Sequence, residues 1–311
     1  MADGADKTTP PLPQPALEAL ETLLAGDGAE AARDAVRDLL AQCAAARPEP
    51  TPLRCIHHFA CSGGTLISKA IASVPNAVVM SEIDPLSTLH LRQPRQPFLP
   101  TDLIASLRYS PREIGQDTIV AVFFAGLQAL ARDLSQKGLH LVLRDHAHSQ
   151  YCTAVDRFAR PTLNELLTQL AGEHNPPLWS VRGVVTVRHP LESYMSVQRN
   201  GWFHFSPSTL EEYSTRYRDF LRQHQHLPIV KYEDFVANPD AATRQICDHL
   251  ELPFEPHYQT LMPLARLSGD SGRRSAVIAP RARRAVGPEL QQQVEQSRSY
   301  RKLCERLGYN P

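Results

Sequence analysis

The sequence lacks an excess of charge of either sign. Its 311 residues include 33 basic and 33 acidic side chains, so the formal net charge is zero. A neutral chain has no general electrostatic attraction to nucleic acid or to an anionic membrane. Any site for an anionic ligand must therefore be built locally, from a few well-placed cations.

The sequence also lacks CxxC cysteine pairs and long apolar runs. Its six cysteines form no CxxC pair, which argues against a zinc site and a disulfide framework. No window approaches 18 consecutive apolar residues, so we expect no membrane span. The first residues have no basic start followed by an apolar run, so no secretory signal is visible. We therefore expect a reduced cytoplasmic protein, and the richness in Ala, Arg and Pro suggests a bacterial source.

The first 50 residues differ in composition from the rest. Residues 1–15 are polar and rich in proline, which predicts disorder. Residues 16–50 contain two runs of helical period broken at "GDG", which predicts a helical hairpin. This hairpin would be either a cap on the main domain or a surface for dimerisation or partner docking. The segment "RPEPTP" at 47–52 is a plausible linker.

From residue 53 to 311 the pattern predicts one α/β domain. Strands separated by helices imply βαβ units, hence a three-layer α/β/α architecture with a central, mainly parallel sheet. Sites in such sheets gather at the carboxyl ends of the strands. The predicted strands are "CIHHF", "AVVM", "LHLVLR", "VRGVVTV" and "LPIVKY", and the predicted helices are 113–137, 160–172, 208–224 and 239–251.

A glycine-containing turn, "ACSGGT", follows the first strand and precedes a helix. Gly63 and Gly64 permit close backbone approach, and the start of the helix offers unpaired N–H groups and the positive end of its dipole. Ser62 and Thr65 add hydroxyl donors. The segment is either a phosphate-binding loop or only a turn, because the lysine that usually accompanies such a loop is missing.

Ionisable residues follow three other strands. "LVLRDHAHSQY" places Arg144, His146 and His148 after the third strand, where a histidine can act as a base or can be a hydrogen-bonded loop residue. Glu82 follows the second strand. Arg188 ends the fourth strand, where it either binds a phosphate or pairs with a carboxylate such as Glu192.

Two further segments bear on an anion site. Ser196 follows Arg188 at a distance of about two helical turns along the next helix, and a hydroxyl beside a guanidinium suits a phosphate. The segment "RLSGDSGRRSAVIAPRARR" contains six arginines and one acidic residue. It is either a mobile basic loop over an anionic ligand or a solvated basic stretch.

Taken in order, these segments resemble the family of sulfotransferases that use 3′-phosphoadenosine 5′-phosphosulfate (PAPS). The resemblance runs from about residue 54 to 285 and leaves the N-terminal hairpin outside. Its more specific parts are the spacing of Arg188 and Ser196 and the "VKYEDFVANP" stretch that contains Tyr232. It implies a relative of the P-loop nucleotide kinases, with a five-stranded parallel sheet and helices on both faces.

The resemblance implies roles for particular residues. The loop after the first strand would hold the 5′-phosphosulfate, Arg188 and Ser196 would grip the 3′-phosphate, and Tyr232 would lie near the adenine. The late arginine pair in "SGDSGRRS" would also cover the 3′-phosphate. The implied donor-binding set is Cys61, Ser62, Gly63, Gly64, Thr65, Leu66, Arg188, Ser196, Tyr232, Arg273 and Arg274.

The activity that the resemblance implies is transfer of a sulfuryl group from PAPS to a hydroxyl or amine, leaving adenosine 3′,5′-bisphosphate (PAP). His146 would take the acceptor proton, with Glu82 as the rival base and His148 ranking third. Arg144 completes the catalytic set. No metal is expected.

The chain departs from the family pattern at two positions of the loop. Cys61 stands where the family has a lysine or arginine, and Gly64 stands where it usually has a threonine. A lost charge-assisted donor in a transition state costs about 2.7–4 kcal/mol. Arg144 could supply the charge from the neighbouring strand, and Lys69, a turn into the helix, is a poorer substitute.

Two other functions stay open. A P-loop kinase using ATP and magnesium would carry G-x-x-x-x-G-K-[ST], and no Gly-Lys pair occurs in this loop. A module without catalytic activity would bind PAP or a sulfated ligand through the degenerate loop and dock a partner through the hairpin.

The sequence leaves the acceptor unidentified, as a small molecule or a glycan. Variable segments at 84–112 and 199–209 would form its pocket. The aromatic residues Trp202, Phe203 and Phe205 could stack on it or be ordinary core. The first segment contains four arginines, Arg92, Arg95, Arg108 and Arg112. These arginines would either favour an acidic acceptor or simply be solvated. The hairpin could support a homo-oligomer.

Overall fold

The computed structural model describes residues 49–89, 102–108, 112, 114–173, 177–267, 278–280 and 282–311, together with Asp34, Arg37 and Asp38, which are helical. The chain divides into two units, Met1–Pro50 and Thr51–Pro311. Most of the first unit lies outside the described residues, so the disordered N-terminus at 1–15 and the helical hairpin at 16–50 stay predictions.

The second unit is built on a sheet of five parallel strands in the order β2-β3-β1-β4-β5. The ends of each strand lie within about four residues of the ends predicted from the sequence. In the register, Ile56 of the central strand is opposite Arg144, and His58 is opposite Thr186. The strands are β1 Thr51–His58, β2 Ala77–Ile83, β3 His140–Asp145, β4 Trp179–Val187 and β5 Ile229–Lys231.

Helices connect the strands, and local sequence sets several of their ends. A capping box formed by Thr162 and Glu165 begins one helix, and Pro190 and Pro239 occupy the first turn of two others. The helices are α1 Gly64–Ala72, α2 Leu103–Arg108, α3 Gln116–Gln136, α4 Ala147–Tyr151, α5 Leu163–Gly172, α6 Pro190–Asn200, α7 Leu210–Gln223, α8 Tyr232–Ala237, α9 Pro239–His249, α10 Tyr258–Leu261, α11 Pro288–Gln296 and α12 Arg298–Leu307.

The helices lie on both faces of the sheet. On one face α3 and α5 pack against Leu53 and Cys55 of β1 and their neighbours in β3. On the other face α1 and α9 pack against Ile56 of β1. Successive β1 residues therefore point to opposite layers, as the alternation of a strand requires. The predicted three-layer α/β/α fold with a central parallel sheet is confirmed.

Helix α3 is the one element in the described part of the chain that is long and apolar enough to cross a membrane. The helices of soluble cores pass the same test of length and composition. Its buried side chains, including Phe124, Leu127 and Leu134, pack against the sheet. Helix α3 therefore belongs to the layer of helices that packs on one face of the sheet.

We expect Leu167→Ala to lower the free energy of unfolding by about 2–5 kcal/mol, because Leu167 is fully buried between α5 and the sheet and its truncation leaves a cavity. The matched control is Gln169→Ala on the exposed side of the same helix, which should change stability by no more than about 0.5 kcal/mol. Urea unfolding followed by circular dichroism measures both. Equal midpoints for the two variants would contradict this packing.

Candidate functional site

A cavity of about 1600 Å³ lies at the carboxyl ends of the strands. Parallel strands bring the residues that follow them to one edge of the sheet, so segments far apart in sequence meet there. The cavity is lined by residues from the ends of all five strands, among them His58, Glu82, Arg144, Arg188 and Tyr232. The cavity therefore lies at the edge of the sheet where the sequence analysis expected a site.

The loop between β1 and α1 forms one wall of the cavity. Cys61 and Gly63 both have left-handed backbones, with φ of 59° and 89°. A Cβ on Gly63 would lie 2.2 Å from the ring of Tyr232, so glycine is required there by space as well as by conformation. The cavity is also lined by Gly64, Thr65 and Leu66 of the loop and helix start.

Ser62 is placed differently from its predicted role as a hydroxyl donor to the ligand. Its side chain is fully buried, and its hydroxyl donates to the carbonyl oxygen of Phe59 at 2.8 Å. The backbone N–H of Ser62 donates to the same oxygen at 3.1 Å. Ser62 therefore closes the turn from the inside, and the hydroxyl that this loop brings to the cavity is that of Thr65.

His58 explains the second departure from the family pattern. A Cβ on Gly64 would lie 2.2 Å from the His58 ring, so no larger residue fits while that ring is present. Arg144 donates through Nε to His58 Nε2 at 3.2 Å, which fixes the ring in place. Burial, followed by the charge of Arg144, lowers the pKa of His58 well below its usual value, so the imidazole is neutral. The histidine occupies the space that a threonine at position 64 would need.

Arg144 joins the loop to the ends of two other strands. Its guanidinium donates to Thr65 Oγ1 at 3.1 Å and to Ser81 Oγ at 2.7 Å, and it pairs with Glu82 at 2.9 Å. The side chain is 5% exposed, so its charge acts in a medium of low dielectric. The loop that lacks a cation at Cys61 therefore receives one from β3.

Glu82 lies between Arg144 and His146. One carboxylate oxygen pairs with the guanidinium, and the other lies 2.7 Å from His146 Nε2. Burial raises the pKa of Glu82, but the hydrogen bond from His146 and the charge of Arg144 outweigh it, so the net pKa is lowered. A carboxylate held ionised by two partners is suited to orient the imidazole, whose Nδ1 stays on the other side of the ring.

Aromatic rings lie beside His146. The His146 and His148 rings are stacked with centroids 6.3 Å apart, and His148 meets Trp202 and His204 edge to face at 6.2 and 5.4 Å. All four rings line the cavity. Phe205, by contrast, is buried as core, and Phe203 packs against that core. Of the aromatic residues proposed for acceptor stacking, Trp202 is therefore the one in position.

Arg188, Ser196 and Tyr232 line the cavity next to the loop, with the Tyr232 ring against Gly63. The Arg188 guanidinium lies 4.9 Å from the centroid of the Tyr232 ring, and it pairs with Glu192 at 3.4 Å. The alternative salt bridge to Glu192 is thus present, yet the guanidinium also faces the cavity. The spacing of Arg188 and Ser196 does bring the two side chains to one site, because the first ends β4 and the second lies on α6.

Three basic residues that were not among the predicted site residues line the cavity, namely Arg199, Arg283 and Arg284. Lys69, which the sequence analysis ranked below Arg144 as a substitute cation, also lines it. Arg273 and Arg274, assigned to the 3′-phosphate, lie outside the described residues, as do Arg92 and Arg95. Arg108 donates to the carbonyl oxygen of Pro85, and Arg112 is exposed. The signal that could have found Arg199 is its place one turn beyond Ser196.

The sequence model of the sulfotransferase family matches residues 181–256, which run from β4 past α9 and contain Arg188, Ser196 and Tyr232. The resemblance to sulfotransferases is confirmed over this segment. No curated protein matches the chain at a significant level. The matched segment is the wall of the cavity that holds the Arg188 and Ser196 pair.

Solved structures of sulfotransferases are also similar to the chain. One is the sulfotransferase domain of the curacin biosynthetic pathway, with 18% identity and a TM-score of 0.43, covering 84% of this chain and 99% of that one. Another is the sulfotransferase domain of the Synechococcus PCC 7002 olefin synthase, with 18% identity and a TM-score of 0.45, covering 86% and 98%. A mouse sulfotransferase complexed with PAP has 10% identity and a TM-score of 0.41, covering 84% and 89%.

We expect Gly64→Ala to destabilise the protein by about 1–3 kcal/mol, because the new methyl group overlaps the His58 ring. In the double variant His58→Ala, Gly64→Ala the methyl group has room. The loss for the double variant should therefore be smaller than the sum of the two single losses. Chemical unfolding of the three variants and the wild type measures the coupling, and strict additivity would contradict the close approach.

Proposed function

We propose that the protein is a PAPS-dependent sulfotransferase with an incomplete donor loop whose missing charge is supplied by Arg144. The observation that carries the proposal is the bonding of one buried guanidinium to Thr65 of the loop and to Glu82, which in turn holds His146. A cation, a base candidate and the loop proposed to bind the phosphosulfate are thus joined by direct contacts. The family match over the wall with Arg188 and Ser196 supports the same function.

The donor would lie in the cavity, with its two phosphate groups held by different elements. The N-terminal end of α1, with Thr65, would hold the 5′-phosphosulfate, since the first N–H groups of a helix have no partner within it. Arg188 and Ser196 would hold the 3′-phosphate, and the Tyr232 ring would support the adenine. Arg199 and Arg283 line the same cavity and add positive charge in a chain whose net charge is zero.

The reaction would be an in-line displacement at sulfur. The acceptor oxygen or nitrogen forms a bond to the sulfur while the bond from sulfur to the bridging oxygen of the 5′-phosphate breaks, and PAP leaves. His146 takes the proton that the acceptor loses. By analogy with phosphoryl transfer, most of the catalysis comes from positioning and charge neutralisation. Arg144, bonded to Thr65, is placed to stabilise charge on the leaving oxygen.

Glu82 fits a positioning role better than the role of base that the sequence left open. Both of its oxygens are engaged, one by Arg144 and the other by His146. A carboxylate paired in this way holds the imidazole in one orientation and stabilises it when it gains a proton. His148 lies one ring further along the wall and makes edge contacts to Trp202 and His204. We therefore assign proton transfer to His146.

The acceptor would occupy the part of the cavity near His146. The rings of His146, His148, His204 and Trp202 line the cavity, as do Ser87 and Leu89. Of the arginines thought to favour an acidic acceptor, Arg108 and Arg112 are described and neither lines the cavity, and the Arg108 guanidinium donates to a backbone carbonyl. The acceptor is proposed as a small molecule or glycan that presents a hydroxyl or an amine.

We expect PAP to raise the melting temperature of the wild type by several degrees. A ligand at about 100 times its Kd adds roughly 2.7 kcal/mol, and a domain of about 150–250 residues gains roughly 2–4 °C per kcal/mol. Arg188→Ala should lose most of the shift. Arg182→Ala is the matched control, because Arg182 lies on the same strand but pairs with Glu251 away from the cavity.

The same measurement separates the alternative functions. A shift with ATP and magnesium but not with PAP would favour the kinase and overturn the assignment of Arg188 and Ser196. A shift with PAP but no transfer to any acceptor would favour the binding module. No shift with either ligand would overturn the donor site altogether.

We expect His146→Ala to lower turnover about 10²–10⁴-fold while the PAP shift is kept, because the base is lost and the donor site is not. Glu82→Gln should lower kcat less, since the one carbonyl oxygen of glutamine can still accept a hydrogen bond from the imidazole. PAP release in the presence of an acceptor found by screening measures both. A larger loss for Glu82→Gln than for His146→Ala would make Glu82 the base.

A further inference from the structure

Three buried ionisable side chains meet on the opposite side of β1 from His58. His57 is the second-last residue of β1, Asp145 ends β3, and His224 follows the last residue of α7. Each offers one nitrogen or oxygen atom that lies within 4.8 Å of the other two. The exposure of the three residues is 0%, 6% and 1%, so the cluster is shielded from solvent. None of the roles proposed above uses it.

The hydrogen bond of His224 leaves one of its ring nitrogens without a donor. His224 Nδ1 lies 2.8 Å from the carbonyl oxygen of Phe220, so Nδ1 carries the proton and Nε2 carries the lone pair. His57 Nδ1 lies 2.9 Å from Asp145 Oδ2, so these two atoms are close enough to bind the same ion. Both Nε2 atoms are buried and have no hydrogen-bond partner within the described structure. A buried acceptor without a donor costs about 1–3 kcal/mol.

The contact that the structure gives the Asp145 carboxylate is with an imidazole, because its Oδ2 lies 2.9 Å from His57 Nδ1. The nearby Arg160 donates to both carboxylate oxygens of Asp84, at 2.5 and 2.6 Å, so its charge is paired with Asp84.

We propose that His57, Asp145 and His224 form a binding site for a divalent transition metal ion of the zinc class. Two imidazoles and a carboxylate are ligands that Zn²⁺ prefers, whereas Mg²⁺ and Ca²⁺ prefer oxygen alone. Zinc bonds of about 2.0–2.2 Å place neighbouring ligand atoms about 3.3 Å apart, so atoms within 4.8 Å of one another need to approach by at most about 1.5 Å on binding. Cys55, two residues before His57 on the same face, has its Sγ 3.9 Å from His57 Nδ1, so its sulfur is a candidate fourth ligand.

The ion would join three segments that carry the cavity. Its ligands come from β1 just before the donor loop, from β3 just after Arg144, and from the end of α7. It would therefore hold the ends of β1 and β3 together behind the loop. The sequence argued against zinc because no CxxC pair is present, but ligands from three separate elements leave no such spacing. This site is independent of the proposed sulfuryl transfer.

Metal analysis of the full chain, purified without chelator and dialysed against Zn²⁺ and then against metal-free buffer, tests the proposal. We expect about one zinc per wild-type chain and less than about one-tenth in Asp145→Asn and in His224→Gln, because each variant removes a ligand. The matched control is His257→Gln. His257 is an exposed histidine 3.9 Å from Glu255, so it reports weak binding by a surface imidazole and carboxylate pair. This control should keep the zinc of the wild type.

A second measurement on the wild type alone covers the case in which the variants fail to fold. A chelator should lower the melting temperature by several degrees, Zn²⁺ should restore it, and Mg²⁺ should not. Co²⁺ in place of zinc should give the visible absorption of a four-coordinate site. Wild-type protein without zinc after dialysis and with no response to chelator, Zn²⁺ or Co²⁺ would overturn the proposal. So would zinc retained by both folded ligand variants, or lost from His257→Gln.

Discussion

The site depends on the buried guanidinium of Arg144. It donates to His58 and Thr65 and pairs with Glu82, so it joins the ends of β1, β2 and β3 to the start of α1. A buried charge is stable only when it is paired and hydrogen-bonded. Removal of any one partner would leave the others with unsatisfied groups in a place of low dielectric. The geometry of the loop and of His146 is thus tied to one side chain.

The sequence predicted the sheet well because its signals are local. Each apolar run followed by a helical stretch appears in the structure as a strand and its crossover, and the rule of carboxyl ends located the cavity. Arg188 and Ser196 were found because one ends a strand and the other lies at a fixed distance along the next helix. Their meeting follows from secondary structure alone.

The parts that the sequence could not predict depend on contacts between distant segments. Ser62 reads as a ligand donor, but its hydroxyl is used by Phe59 inside the turn. Glu82 reads as a second base, and only the placement of β2 beside β3 shows that Arg144 and His146 occupy both oxygens. The match of Gly64 to the His58 ring is likewise a property of packing, since no spacing in the sequence encodes it.

The loop departs from the sulfotransferase pattern at Cys61 and at Gly64. Because His58 lies so close to the loop, the residue of the pattern fits less easily at position 64 than at position 61. Cys61 already has a side chain in a left-handed backbone with φ of 59°, so lysine at this position adds no new conformational cost. Threonine at position 64 would meet the His58 ring, which Arg144 holds in place. Threonine at position 64 therefore requires a prior change at position 58, whereas lysine at position 61 requires no change of backbone conformation.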